Sequence, residues 1–310
     1  MPKHSKPRDG SLQFWPRKRA KRIYPSVSFI GNRVPVFAGW KAGMTHIQTV
    51  DNKKKSKTFG RTITKSATIL ETPPLLVCAL RFYKKNASSG FFVSGEQWIK
   101  IPKFMKRKVP TQPSVKNYDG IFDHVRIVVV TQPSKSNMKK IKPEIFEIPY
   151  DSEKAKTMLG KEIDISEVFK DGEFVDVTSI TKGHGFTGPV KRFGIKIQGR
   201  KDAQHHRHAG SLGGVVPRHI DWRVPLPGQH GFHRRTELNK NIIKIGKNPK
   251  DVNPSGGFIN YGIVKSSYVL LDGSIPGHKK RLVLMRKAVR KSYPSLQDLK
   301  YVSLESQQGR

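Results

Sequence analysis

One cysteine, no long apolar run and few acidic residues are the conspicuous shortages of this 310-residue chain. Cys78 is the single cysteine, which excludes an internal disulfide and any cysteine-based zinc cluster. It lies in the run PLLVCAL, where a small buried hydrophobe is the expectation, and a cytosolic setting fits. The longest apolar stretches, 75–80 and 127–130, fall well short of the roughly 18–20 residues that span a bilayer as a helix, and suit buried strands. The opening decapeptide, MPKHSKPRDG, carries charge without an apolar stretch, unlike a secretory signal. Catalytic signatures are missing too. No G-x-S-x-G elbow occurs, and no carboxylate pair stands at a strand end. The segment GIKIQGRK (194–201) has only the outline of a phosphate-binding P-loop. Arg200 and Lys201 stand where a lysine and a Mg²⁺-ligating hydroxyl are needed, so nucleotide hydrolysis is not expected. The chain reads as a non-enzyme with no cofactor and no small-molecule substrate.

What is abundant is positive charge. Lys and Arg number 59 against 23 Asp and Glu, a net +36. Self-repulsion of that size opposes compaction, so a polyanion must neutralise it. With the membrane set aside, nucleic acid is the partner the composition implies. The charge is unevenly spread. Ten of the 23 acidic residues fall within 144–176, whereas the first 33 residues, the lysines 53, 54, 55 and 57, the segment 182–235 and the C-terminus are basic.

Residues 1–33 have no periodic apolar pattern, and Pro2, Pro7, Pro16 and Pro25 interrupt any helix. A basic extension that orders by threading into RNA accounts for Trp15 together with Arg17, Lys18, Arg19, Lys21 and Arg22, by stacking and phosphate contact. From residue 34 the runs VPVFAGWKAGMTHI and RTITKSATILETPPLLVCALRFY have the β-branched and aromatic content of strands. Residues 93–171 alternate differently: the strand HVRIVVVT is followed by the helix-compatible DSEKAKTMLG and DISEVF. Strand character returns at GEFVDVTSIT and again in NIIKIG, GGFINYGIVK, SYVLLDG and KRLVLM, with Asp272-Gly273 as a turn. The organisation expected is therefore mainly β. A discontinuous β-barrel spans 34–92 and 172–287, an α/β insertion 93–171, a long extension 182–235, and a tail 288–310.

The segment 182–235 carries 11 Lys or Arg, seven of the 11 histidines, ten glycines and only two acidic residues, Asp202 and Asp221. A stretch so long and polar has no core of its own and takes order from a partner. Glycine lets backbone amides approach phosphates, arginine forks onto phosphate or base edges, and aromatic faces stack on unpaired bases. The candidate RNA-contacting residues are Lys182, His184, Lys191, Arg192, Arg200, Lys201, His205, His206, Arg207, His208, Arg218, His219, Trp222, Arg223, Gln229, His230, His233, Arg234 and Arg235. Lys41, in AGWKAGMTHI, joins them. The histidines suggest zinc, yet Arg200, Lys201, Arg207 and Arg218 would repel a cation, so no metal is assigned. Two other classes stay open: an RNA-modifying or metal-dependent enzyme using the histidines, and a general nucleic-acid coat.

The blocks GSLQFWPRKRA, AGWKAGMTHI, TKGHGFTGPVKRFGIK, PGQHGFHRRTELNKNIIKIG and GGFINYGIVKSSYVLLDGSIPGHKKRL, together with the terminal YVSLESQQG, resemble the universal large-subunit ribosomal protein L-three family, in its archaeal and eukaryotic branch. They run in order along nearly the whole chain; the region 93–171 matches mainly by position and size. The resemblance implies a translation-protein-type β-barrel whose basic extensions penetrate large-subunit rRNA, a place on the cytoplasmic ribosome, and neighbouring ribosomal proteins as partners. It also implies a loop tip at Val215, Val216, Pro217, Arg218 and His219 reaching toward the peptidyl-transferase centre. Two positions depart from the family. Val215 stands where Trp is common, so the tip contact must differ here, drawing on His219 or Trp222. Phe193 replaces a usual Trp and keeps an aromatic face.

Overall fold

The computed structural model describes residues 8–26, 35–52, 56–86, 90–202, 205–216, 218–290 and 296–309. The protein is mainly β. In chain order its strands are β1 (Val36–Val50), β2 (Thr62–Glu71), β3 (Leu75–Asn86), β4 (Gly90–Trp98), β5 (His124–Val130), β6 (Ile145–Tyr150) and β7 (Glu162–Ile163). There follow β8 (Phe174–Ile180), β9 (Gly183–Thr187), β10 (Gly228–Gly231), β11 (Arg234–Gly246), β12 (Tyr268–Asp272), β13 (Leu282–Lys287) and β14 (Leu299–Val302). The helices are short: α1 (Ser152–Met158), α2 (Ile165–Val168) and α3 (Pro189–Phe193). No helix among the described residues is long and apolar enough to cross a membrane. Two compact units are formed, one from residues 1–22 and 180–234, the other from 23–179 and 235–310.

The larger unit holds two antiparallel sheets. The first runs β13-β8-β11-β12-β2-β1-β14, and β13 also pairs with β1, from Val36 opposite Arg286 to Trp40 opposite Leu282. Six strands thus form a closed hydrogen-bonded circuit, with β14 attached outside it. The long strand β1 makes this possible. Its first eight residues, VFAGWKAG, are all buried; residues 36–40 pair with β13, and from Trp40 onward the strand pairs with β2. After a bulge between Lys41 and Gly43 the burial alternates residue by residue, the period expected of a strand with one face on the core. The freed edge of that second half takes β14, so part of the segment expected as a tail is a strand. Phe37, Ile47, Ile69, Leu70, Tyr268 and Leu271 fill the core.

The second sheet runs β4-β3-β5-β6, with β7 also on β3. The sequence places β3 with the first barrel segment, yet its partners are β4, β5 and β7. Its apolar run without alternation suits a central strand covered on both faces. Helices α1 and α2 follow where DSEKAKTMLG and DISEVF predict them. Much of the local acid is paired within this region: Glu147 with Arg81 and Arg126, Glu144 with Lys108 and Lys140, and Glu162 with Lys135.

One expected strand is absent. GGFINYGIVK forms turns with a single bridge between Phe258 and Gly262. Gly257, Asn260 and Gly262 adopt positive φ (73°, 62° and 97°), which a strand does not tolerate. The end of the segment is held instead by Glu71, a fully buried carboxylate at the end of β2. It accepts from the backbone N–H of Lys265 (2.7 Å), Ser266 (2.9 Å) and Asn137 (3.3 Å), from the Ser266 hydroxyl (3.2 Å) and from the Tyr261 hydroxyl. Burial, with Glu71 beside it, pushes the Tyr261 phenol well above its usual range.

Candidate nucleic-acid interface

The smaller unit joins the N-terminal segment to the central extension. At its base β9 and β10 form a two-stranded ribbon, with Gly228 opposite Thr187 and His230 opposite Gly185. The ribbon ends at Gly231, whose φ is 73° and where a Cβ would sit 2.0 Å from the Lys182 carbonyl oxygen, so no other residue fits without displacement. His233 follows, buried. Its Nε2 accepts from the Gly231 N–H (3.1 Å), which leaves the proton on Nδ1 to donate to the Lys18 carbonyl (2.9 Å). This histidine therefore ties the N-terminal segment to the ribbon.

A second tie is aromatic. Helix α3 begins at Pro189 and stops at Gly194 in the left-handed region, an N-terminal proline and C-terminal glycine in their usual places. Its last residue, Phe193, is buried. Trp15 stacks on it with centroids 5.7 Å apart, Trp222 meets Trp15 edge-on at 5.4 Å, and the Arg17 guanidinium lies 4.4 Å from the Phe193 ring. Gly10 packs so closely that a Cβ there would lie 2.5 Å from the Phe193 ring. Backbone bonds complete the attachment: the Ala20 N–H donates to the Phe232 carbonyl (2.8 Å), and the Arg8 guanidinium to the Arg223 carbonyl (2.8 Å). Part of the order that the sequence ascribes to RNA is thus supplied by the protein. Trp15 and Phe193 are packing residues as they stand.

Arg192 turns inward as well, donating to the carbonyls of Leu226 (2.8 Å) and Gln229 (3.0 Å). Burial lowers the pKa of Arg17 and Arg192, and so does a neighbouring cation, Arg8 for the first and Arg17 for the second. Both remain charged. The crowding raises the local positive potential, which an approaching anion relieves. His230, whose ring lies 4.8 Å from that of His184, is held below the usual imidazole pKa by burial, then by His184, His233, Lys191 and Arg17.

Beyond α3, the described residues of 194–227 contain no helix or strand. Short-range bonds give the path: Gln198 N–H to the His206 carbonyl (3.0 Å), and Arg223 N–H to the Asp221 carboxylate (2.8 Å). Arg200, Lys201, Arg207 and Arg218 are exposed, and none has an ion-pair partner among the described residues. Lys18, Arg19, Lys21, Arg22, Lys182, His184, Lys191, His205, His208, His219, Trp222, Arg223 and Arg234 are exposed too, and His206, Gln229 and His230 half-buried. At the expected tip Val215 and Val216 are 81% and 85% exposed, the most exposed large apolar side chains described. Pro217 lies outside the described residues. No group of three or more His, Cys, Asp or Glu among the described residues could hold a metal ion.

Two predicted positions lie in the larger unit. Arg235 is half-buried at the start of β11. Lys41 is buried on β1, its ammonium donating to the carbonyls of Ile275 (2.8 Å) and Gly277 (3.2 Å). Sequence reasoning did not single out Arg8, Gly10 or the Arg192 carbonyl bonds. Only the glycine at position 10, next to an aromatic-basic run, hinted at a close approach.

The chain that carries this basic loop and ribbon is matched along its length by known proteins. The model of the family described as ribosomal protein L3 matches residues 1–109 and 106–309. The chain belongs to the ribosomal protein L3 family. It is 41% identical over 331 residues to the large ribosomal subunit protein uL3 of Archaeoglobus fulgidus, covering 99% of this chain and 100% of that protein. Against the protein of the same name from Methanothermobacter thermautotrophicus the identity is 43% over 338 residues, with 100% of both covered. The Thermoplasma acidophilum protein of that name gives 43% over 338 residues, with 99% of each covered. Both units fall inside the residues that the L3 family model matches, so the archaeal-type resemblance extends to the extension as well as to the sheets.

Proposed function

We propose that this chain is a non-catalytic structural constituent of the large ribosomal subunit, which binds and organises large-subunit rRNA on the cytoplasmic ribosome. The observation that carries the reading is the segment 194–227. Arg200, Lys201, Arg207 and Arg218 project from a path without core or regular structure, in a chain of net +36 and L3 ancestry. Cations without carboxylate partners on such a path are sites for phosphate. Phosphate contacts fix position, and the exposed Trp222 and histidines supply contacts to irregular RNA.

In this reading the six-strand circuit is a translation-protein-type barrel that serves as the platform. The extensions 1–33 and 182–235 penetrate the RNA, while the insertion 93–171, with its acid neutralised locally, meets neighbouring ribosomal proteins. The tip at Val215, Val216, Pro217, Arg218 and His219 reaches toward the peptidyl-transferase centre. Two exposed valines at that point favour a contact made by apolar packing, with Arg218 and His219 beside them.

The test is binding of the full chain to large-subunit rRNA fragments across a salt series. The expected log–log slope is roughly −0.7 to −0.9 per phosphate neutralised, with affinity falling about 10³–10⁵-fold between 50 and 200 mM salt if six to ten phosphates are engaged. A flat salt dependence, or equal affinity for duplex DNA, would sink the reading.

A further inference from the structure

The loop between β12 and β13 gathers charge that the extension does not explain. Residues 274–281, SIPGHKKR, contain His278, Lys279, Lys280 and Arg281 and no acid. The loop is fastened to β1 at Lys41. The Lys41 N–H donates to the Arg281 carbonyl (3.0 Å), and its carbonyl accepts from the Lys280 N–H (2.8 Å). Its ammonium reaches the carbonyls of Ile275 and Gly277, two of the three acceptors an ammonium can take. Gly277 has φ 103°, and a Cβ there would sit 2.7 Å from the Ser179 hydroxyl, so the loop is fixed in place before any ligand arrives.

Lys41 is only 8% exposed, and it has no ion pair among the described residues. A buried ammonium ordinarily ends on a carboxylate, because carbonyl dipoles repay only part of its lost hydration. Burial accordingly lowers its pKa; Glu237 opposes that shift and Lys279 adds to it. A recess of about 330 Å³ opens to solvent there, lined by Lys41, Asn260, Gly277, His278, Lys279 and Gln307 among others, with no carboxylate in its wall.

We propose that this recess seats a backbone phosphate of an RNA strand, with Lys41 at its floor, Lys279 and His278 at its rim, and as neutral donors the Asn260 amide and the second N–H of the Gln307 amide, whose first donates to the Met44 carbonyl (2.9 Å). The inference rests on the rRNA-binding reading above and adds a site in the larger unit, built on the sheet rather than on the extension. Lysine ammonium groups act as compact point charges suited to a phosphate oxygen, whereas recognition of a carboxylate favours arginine forks, and none lines the recess.

The experiment compares the full chain with Lys279→Gln, His278→Gln and Lys41→Met in rRNA binding, with Lys154→Gln on α1 as a surface control. Lys279→Gln should melt as the parent does, bind rRNA roughly five- to tenfold more weakly near 0.1 M salt, and lose about 0.7–0.9 from the salt slope. Lys154→Gln should change neither. Because Lys41 fastens the loop, Lys41→Met can fail to fold; the two rim variants decide the matter regardless. If the parent binds rRNA with a steep slope and both rim variants match it, the recess is not a phosphate seat. If the parent shows no salt-dependent binding at all, the rRNA-binding reading itself falls. Melting in inorganic phosphate and competition by poly-glutamate identify the ligand's source. Phosphate that stabilises the parent but not Lys279→Gln, while rRNA affinity is equal in both, makes this a free-anion site. Rim-dependent binding of poly-glutamate without rim-dependent RNA binding makes it a protein-docking site. Either result overturns the proposal.

Discussion

Phe193 is the only buried Phe, Tyr or Trp among the described residues of the unit formed by 1–22 and 180–234, and replacing it by alanine removes the support of Trp15 and Arg17 together. A buried Phe→Ala change typically costs about 3–5 kcal/mol, and a stacked aromatic pair adds about 0.5–1.5 kcal/mol beyond area. The unit has little other core: Ile180 is its one further buried large aliphatic side chain. A loose site collapses readily, so the lower part of the range applies, about 3–4 kcal/mol. A loss of that size changes a local opening equilibrium about 150- to 1000-fold. Amide hydrogen exchange on the full chain reads it directly. The Ala20 N–H, bonded to the Phe232 carbonyl, should lose protection by that factor. The Thr72 N–H, bonded to the Ser267 carbonyl in the larger unit, should be almost unchanged. Phe193→Leu, which keeps most of the volume but not the stack, should lose only about 1 kcal/mol. Ala20 protection within twofold of the parent would refute the reasoning. So would an equal loss at Thr72, which would mean that the two units do not open separately.

Three further outcomes follow from the geometry. His230 titrates below the unfolded imidazole value of about 6.5, so its contribution to stability is full above that pH and declines as pH falls toward its folded value. NMR should show the depressed midpoint, His184→Ala should raise it, and a midpoint at or above that of the unfolded chain would be contrary. Glu71→Gln turns an amide toward donors that now meet a carboxylate, and should cost about 2–4 kcal/mol in chemical denaturation, with new proteolytic sensitivity near 261–266; a loss under about 1 kcal/mol would contradict the role given to it. Cys78 is fully buried, its thiol donates to the Val128 carbonyl (3.2 Å), and burial pushes its pKa up to about 12. It should resist a disulfide reagent at pH 8 until the protein unfolds, and stoichiometric labelling of the native chain within minutes would count against that placement.

Local pattern made much of the fold legible. The runs that became β1, β2, β5, β8, β12 and β13 are β-branched and bounded by turn residues, and the two helical stretches in 144–176 stand out by their polarity. GGFINYGIVK misled because its strand-like composition competes with a nonlocal acceptor, Glu71, and with glycines that open positive φ. The candidate interface divides the same way. Arg200, Lys201, Arg207 and Arg218 are exposed as their setting suggested, whereas Trp15, Arg192 and His233 are spent on holding the unit together.

By itself the sequence determined the distribution of charge and the family, since net charge and ordered blocks need no third dimension. It also set the strand periodicity, because alternation is written in residue order. Only the tertiary structure decided that β1 closes onto β13, that β3 leaves for the second sheet, and that Lys41 lies beneath a loop 236 residues away. Those are pairings between distant segments, and nothing in either segment alone names the other.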